Sequence, residues 1–202
     1  MLKIGITGNI GSGKTTASKL FELIGIPVFY ADEAAKSIMV TDELLIADIK
    51  QTFGDAAYLE DGTLNRKYIA GIVFNDEVQL SKLNALVHPA VFRTFDKWVK
   101  QIPADVPYVL KEAAVLFESS SYKLCDKTIM VTAPLELRIK RVIKRDNITR
   151  EEVLNRETRQ FTEEKKIQLA DYVLKNDESE LLIPQVLKLH QEFLSLSSKV
   201  NQ

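Results

Sequence analysis

Gly8-Asn9-Ile10-Gly11-Ser12-Gly13-Lys14-Thr15 satisfies every position of the pattern G-x-x-x-x-G-K-[ST]. Before it, Leu2, Ile4 and Ile6 alternate with Lys3, Gly5 and Thr7, the period of a strand. After it, residues 16–24 carry apolar side chains at helical spacing. The order is strand, glycine loop, helix, and each position of the loop has a physical task. Glycines let successive backbone N–H groups turn inward around phosphate oxygens, and the N-terminus of the following helix adds its partial positive charge. Lys14 can reach the β- and γ-phosphates, and the Thr15 hydroxyl can bind Mg²⁺. Gly8, Gly11, Ser12, Gly13, Lys14, Thr15 and Thr16 are therefore candidate nucleotide-binding residues, with Thr15 the candidate metal ligand alongside the nucleotide phosphates.

The rest of the chain bounds what such a loop can serve. At 202 residues it can bury one good core with room for a smaller lobe. With 27 Lys+Arg against 28 Asp+Glu, it has no overall electrostatic footprint for nucleic acid, so the expected partners are small molecules. A single cysteine, Cys125, excludes an internal disulfide, and one Cys with two His cannot build a soft-ligand metal cluster. The N-terminus enters a core strand at once, without a charged and then apolar leader, and no apolar run approaches the ~20 residues of a membrane span. A cytoplasmic protein without a membrane partner is the expectation.

A second apolar run, Ile26-Pro27-Val28-Phe29-Tyr30, follows Gly25 and leads into Ala31-Asp32. Tyr108-Val109-Leu110, Thr128-Ile129-Met130-Val131 and Tyr172-Val173-Leu174 are the other strand candidates. Strands separated by helical stretches predict a doubly wound α/β fold of five parallel strands, with ligands bound beyond the strand C-termini. Residues 41–102 break the alternation and read as helix after helix: Thr41-Asp42-Glu43 offers a cap, Gly54 a stop and Asp61-Gly62 a turn, while Tyr68, Ile69, Ile72 and Val73 recur on one face. This predicts an inserted helical lobe suited to holding an acceptor, within one domain spanning residues 1–202. From Pro134 a basic helix runs to Asp146-Asn147, and Thr149 with Glu152 forms a capping-box pattern. Its low apolar content predicts a helical lid over residues 135–165. A long terminal helix carries Leu182, Val186, Leu189 and Phe193, with His190 as a structural residue.

Two further features extend the loop toward chemistry. Asp32 closes the strand expected beside the loop strand, where a carboxylate can take a proton from an attacking hydroxyl; the alternative is an N-cap for the helix after it. Arg138, Arg141 and Arg145 fall on one helical face and can converge on transferring phosphates, for which arginine supplies permanently charged donors. A guanine-specificity motif and a long apolar strand ending in a carboxylate pair are both missing from the sequence. That pattern predicts a small-molecule or nucleotide kinase. An ATP-hydrolysing regulator acting through a protein partner is the rival of a different class.

Along nearly its whole length the chain resembles the dephospho-coenzyme A kinase family. The likeness rests on residues 4–16, on Gly25-Ile26-Pro27-Val28 leading to Ala31-Asp32, on residues 61–66 followed by Phe74, and on Leu83-Asn84 leading to His88-Pro89. It continues through Leu116-Phe117-Glu118, Arg141, Arg145-Asp146, the Arg156 and Gln160 pair, and Ala170-Asp171-Tyr172-Val173 through Asn176. The resemblance implies ATP-dependent phosphorylation of the ribose 3′-hydroxyl of dephospho-CoA, giving coenzyme A and ADP with Mg²⁺ on the ATP phosphates. It implies Asp32, Lys14 and Arg141 in catalysis, Arg145 and Asn176 with the loop at ATP, and Asp32, Arg66 and His88 at the acceptor. Three places depart from the family pattern: Tyr30 and Ala114 stand where an aspartate and a proline are frequent, and Lys111-Glu112 brings charge into a strand that is often apolar.

Overall fold

The computed structural model describes residues 1–74 and 76–200, the side chain of Val200 excepted. Its elements in chain order are β1 (Leu2–Thr7), α1 (Lys14–Leu23), β2 (Val28–Tyr30), α2 (Ala31–Thr41), α3 (Glu43–Phe53), α4 (Arg66–Val73), α5 (Glu77–Val99), β3 (Tyr108–Glu112), β4 (Lys127–Thr132), α6 (Leu135–Asp146), α7 (Arg150–Glu157), α8 (Glu163–Leu169), β5 (Tyr172–Lys175) and α9 (Leu182–Val200), with short 3-10 turns at Asp55–Ala57 and Ser121–Leu124. Among the described residues the five strands form one sheet in the order β2-β3-β1-β4-β5, and every pairing is parallel. The α/β expectation of five parallel strands holds, with one correction: β3 lies between β1 and β2, so the strand that leads into Asp32 is not the one beside the loop strand.

The chain divides into two compact units. One holds Met1–Tyr30 and the chain from Ile102 on, and therefore the whole sheet. Period-2 alternation decides its core: Leu2, Ile4 and Ile6 of β1, Tyr108 and Leu110 of β3, Ile129 and Val131 of β4 and Leu174 of β5 share one buried cluster with Ala17 and Phe21 of α1 and Val186, Leu189 and Phe193 of α9. Within it, Tyr108 stands edge-on to Phe21 and Phe193, at 6.4 and 5.3 Å between ring centroids, each such pair adding ~1 kcal/mol beyond its buried area. Burying Tyr108 requires a partner for its hydroxyl, and His190 Nδ1 is hydrogen-bonded to it at 2.7 Å. His190 thus has the structural role read from its place in the helix. On the opposite face Leu116 and Cys125 pack on Gly5. Burial pushes the Cys125 thiol up to about 11, which leaves it protonated and inert.

The second unit, Ala31–Gln101, is helical. Asp42 caps α3, accepting from Leu44 N and Leu45 N at 3.1 and 3.2 Å, and Gly54 ends it at φ 87°; such a cap is worth ~1 kcal/mol. Leu45, Ile49 and Phe53 of α3, Ile69 of α4 and Val87, Ala90, Val91 and Phe95 of α5 are buried. Two local readings change. α2 already begins at Ala31, so Asp32 lies in its first turn and is not its cap. His88, standing just before a proline, reads from sequence as a helix-end residue, but α5 runs unbroken through Pro89 and places it mid-helix. The proline removes the N–H that would have donated to the Ala85 carbonyl.

Candidate active site

The loop between β1 and α1 is built for close approach. Gly11 and Gly13 adopt φ 80° and 90°, which side-chain-bearing residues rarely do. A Cβ on Gly13 would also lie 2.1 Å from Asn176 Nδ2. That amide donates to Ser12 O at 2.8 Å, while the Asn176 backbone is held by its own N–H to Thr132 O, 2.8 Å, and by Arg141 Nη1 donating to its carbonyl at 3.0 Å. Asn176, one residue past β5, therefore braces the loop from the side. Because α1 starts at Lys14, the N–H groups of its first turn lack acceptors within the helix, the feature that draws anions to helix N-termini.

Residues 8–16 line a cleft of about 480 Å³ together with Ala114, Val115, Arg141, Val142, Arg145, Arg156, Arg159 and Gln160, a volume typical of small-molecule sites. Its lining carries Lys14, Arg141, Arg145, Arg156 and Arg159 and, among the described residues, no carboxylate. A chain of near-zero net charge thus concentrates cations at one mouth. Arg141 also donates to Glu178 Oε1 at 3.2 Å. Arg145 is forked onto Asp146 at 2.6 and 2.9 Å, and Arg156 reaches the same carboxylate at 3.4 Å. The Arg145 bonds hold the Asp146 carboxyl below its usual range.

Arg138 does not join the cleft, contrary to the shared-face expectation. It is buried, donating from Nε to Ala133 O at 2.9 Å and from Nη1 to Glu157 Oε2 at 2.7 Å. Spacing places the three arginines on adjacent parts of one helix surface, but the first-turn side chain folds back on the segment that precedes its own helix. α6 also has an apolar stripe that its low total apolar content did not suggest. Ile139 and Val142 are buried with Val153 of α7, and Ile10 of the loop packs on them.

The residue that reading the sequence missed is Glu112, at the C-terminal end of β3. Its buried carboxylate accepts from Lys14 Nζ through Oε1 and from Thr15 Oγ1 through Oε2, the latter at 3.0 Å. The available signal was a charge in an otherwise apolar strand, next to the sheet position of the loop strand. Around the cleft lies a second buried polar set. Lys166, fully buried, pairs with Glu118 Oε1 at 3.0 Å and donates to Ala114 O at 3.1 Å. Burial pulls the Lys166 ammonium below its ordinary pKa, with Glu118 opposing.

A family model described as dephospho-CoA kinase matches residues 2–181. The chain belongs to the dephospho-CoA kinase family. It is 42% identical over 179 residues to the dephospho-CoA kinase of Salinibacter ruber, covering 88% of this chain and 89% of that one. It is 36% identical over 188 residues to that of Bacteroides fragilis, covering 93% and 91%. A solved dephospho-CoA kinase from Campylobacter jejuni superposes with a TM-score of 0.70 at 26% identity, over 99% of this chain and 98% of that one. With the family in place, the remaining motif residues can be located. Arg156 and Gln160 line the cleft, and Glu118 holds Lys166 and the Phe161 N–H. Asp171 accepts from Lys127 Nζ at 2.9 Å and from Thr128 N at 2.8 Å, bonds that outweigh burial and lower its pKa. The other candidates lie in the helical unit: Asp32 in the first turn of α2, Arg66 as the first residue of α4, and His88 on α5, stacked on Phe92 at 6.5 Å.

Proposed function

We propose that the protein transfers the γ-phosphoryl group of ATP to the ribose 3′-hydroxyl of dephospho-CoA, giving coenzyme A and ADP, the closing step of coenzyme A synthesis. One observation carries the reading: in a chain of this family, Lys14, Arg141, Arg145, Arg156 and Arg159 converge on one cleft floored by a phosphate-binding loop. Gly8, Gly11, Ser12, Gly13, Thr15 and Thr16 cradle the phosphates through backbone N–H groups and hydroxyls, and Asn176 keeps the loop in shape. Phosphoryl transfer spreads negative charge over the equatorial oxygens, so catalysis is chiefly positioning and charge stabilisation. Lys14 and Arg141 supply that stabilisation, with Arg145 on the ATP side.

Asp32 follows the end of β2 by two residues, and in this reading it orients the acceptor hydroxyl and takes its proton. Arg66 and His88 bind the acceptor, Arg66 through its phosphates. Mg²⁺ fits the donor set, since a hydroxyl and a carboxylate stand together at Thr15 and Glu112, the hard oxygen ligands this ion takes beside substrate phosphates. When bound it neutralises charge on the β- and γ-phosphates. Among the described residues no helix is long and apolar enough to cross a membrane, which suits a cytoplasmic setting.

The test is an acceptor panel. ADP release measured with dephospho-CoA, AMP, dTMP, shikimate and gluconate is expected only with the first. Comparable turnover on any of the others refutes the acceptor assignment.

A further inference from the structure

The turn between α7 and α8 is fastened to the phosphate loop by contacts that phosphate binding itself does not require. Gln160 bridges two backbone groups of the cleft wall: its Oε1 accepts from Ile10 N at 2.9 Å, and its Nε2 donates to Ala114 O at 3.2 Å. One residue earlier in the loop, the buried Asn9 side chain donates from Nδ2 to Phe161 O at 3.1 Å and to Glu157 Oε1 at 2.9 Å. Glu157 is fixed in turn by the buried Arg138. The last turn of α7 and the turn after it carry Arg156 and Arg159, respectively, into the cleft.

We infer that Gln160 is a positioning residue for the donor phosphates, coupling loop residues 9–10 to the end of α7 and the turn after it, which present Arg156 and Arg159. The amide is the side chain suited to the task. The Ile10 N–H demands an acceptor, and the Ala114 carbonyl, which also accepts from Lys166 Nζ and Thr7 Oγ1, takes a further donor; a primary amide offers both from one planar group. Gln160 thereby fixes where the loop stands relative to the two arginines, so that phosphate oxygens held by the loop meet the guanidinium groups without rearrangement. This inference rests on the ATP-binding part of the proposed function and adds a residue that acts through the backbone.

The experiment uses the full chain with Gln160→Met, which keeps length and removes both hydrogen bonds, and Gln160→Ala, which leaves room for water at Ile10 N. Calorimetric titration of Mg–ATP without acceptor keeps the outcome separate from the identity of the acceptor. Affinity for ATP is expected to fall about tenfold in Gln160→Met, or about 1.4 kcal/mol, and less in Gln160→Ala. In steady state, KM for ATP should rise while KM for dephospho-CoA stays within twofold, a split that general loosening of the fold does not produce. Circular dichroism establishes that each variant is folded. ATP affinity within twofold of the unsubstituted protein in a folded Gln160→Met variant overturns the inference, as does an equal loss for both substrates. If the unsubstituted protein binds ATP but phosphorylates none of the panel, the acceptor reading fails and this inference still stands or falls on the titration.

Discussion

Replacing Gly13 by alanine probes the loop with a single methyl group. The backbone at residue 13 sits at φ 90°, ψ 22°, and holding an L-residue in the left-handed region costs ~1–2 kcal/mol. The added Cβ would come within 2.1 Å of Asn176 Nδ2. The Asn176 backbone is pinned at both its N–H and its carbonyl, so its side chain must swing away and give up the 2.8 Å bond to Ser12 O. That loss adds ~1 kcal/mol. Gly13→Ala should therefore lower unfolding free energy by roughly 2–3 kcal/mol, measured by urea titration with circular dichroism. The two contributions separate in a double-mutant cycle with Asn176→Ala. Once Asn176 is trimmed, the clash share of the alanine penalty disappears and the backbone share remains. A Gly13→Ala variant within 0.5 kcal/mol of the parent (about half the smallest backbone term), or a cycle showing no coupling, would falsify the picture of Asn176 as the brace of the loop.

Glu112→Gln keeps a hydrogen-bonding group at Thr15 but removes the charge facing Lys14; the Mg²⁺ needed for half-maximal rate should rise about 10- to 100-fold, and an unchanged Mg²⁺ titration would reduce Glu112 to a packing partner. Asp32→Asn should lower kcat by roughly 10²–10⁴ with stability preserved if the carboxylate takes the acceptor proton; a loss below about tenfold would assign Asp32 to binding. Asp171 has a folded pKa below its ordinary 3.8, so it binds fewer protons folded than unfolded. Its stabilisation is complete above that ordinary value and is lost as pH falls through the lower folded one. Acid unfolding curves of Asp171→Asn should lack this component, and curves parallel to the parent below pH ~4 would refute it.

The sheet was largely readable because its physics is local. Alternation marks β1, short apolar runs mark the other strands, and the loop pattern fixes what joins β1 to α1. Asn176 was found through a family pattern and Arg141 first through its helical face, and the two touch each other while Asn176 holds the loop. Contacts that depend on distant chain were opaque. Glu112 meets Lys14 across 98 positions of sequence, and within its own strand it looks only like a misplaced charge. Arg138 and Arg141 have the same type and the same helix, and what separates them is the carbonyl of Ala133 within reach of one and that of Asn176 within reach of the other. His88-Pro89 signalled a helix end by the usual rule, yet α5 continues because buried Val87, Ala90, Val91 and Phe95 hold both halves.

The sheet order has a consequence for how the chain reaches its fold. β2 leaves the sheet at Tyr30 and its partner β3 begins only at Tyr108, so pairing them closes a loop of residues 31–107. For a disordered loop of that length the closure term is ~4 kcal/mol. Once the helical unit has folded, α2 lies against α5, the disordered part of the span is far shorter, and the term falls. β2 is only three residues long and has little of its own to offset the difference. The edge of the sheet is therefore expected to form after the helical unit, and substitutions in α2 or α5 should slow completion of a sheet to which they contribute no strand.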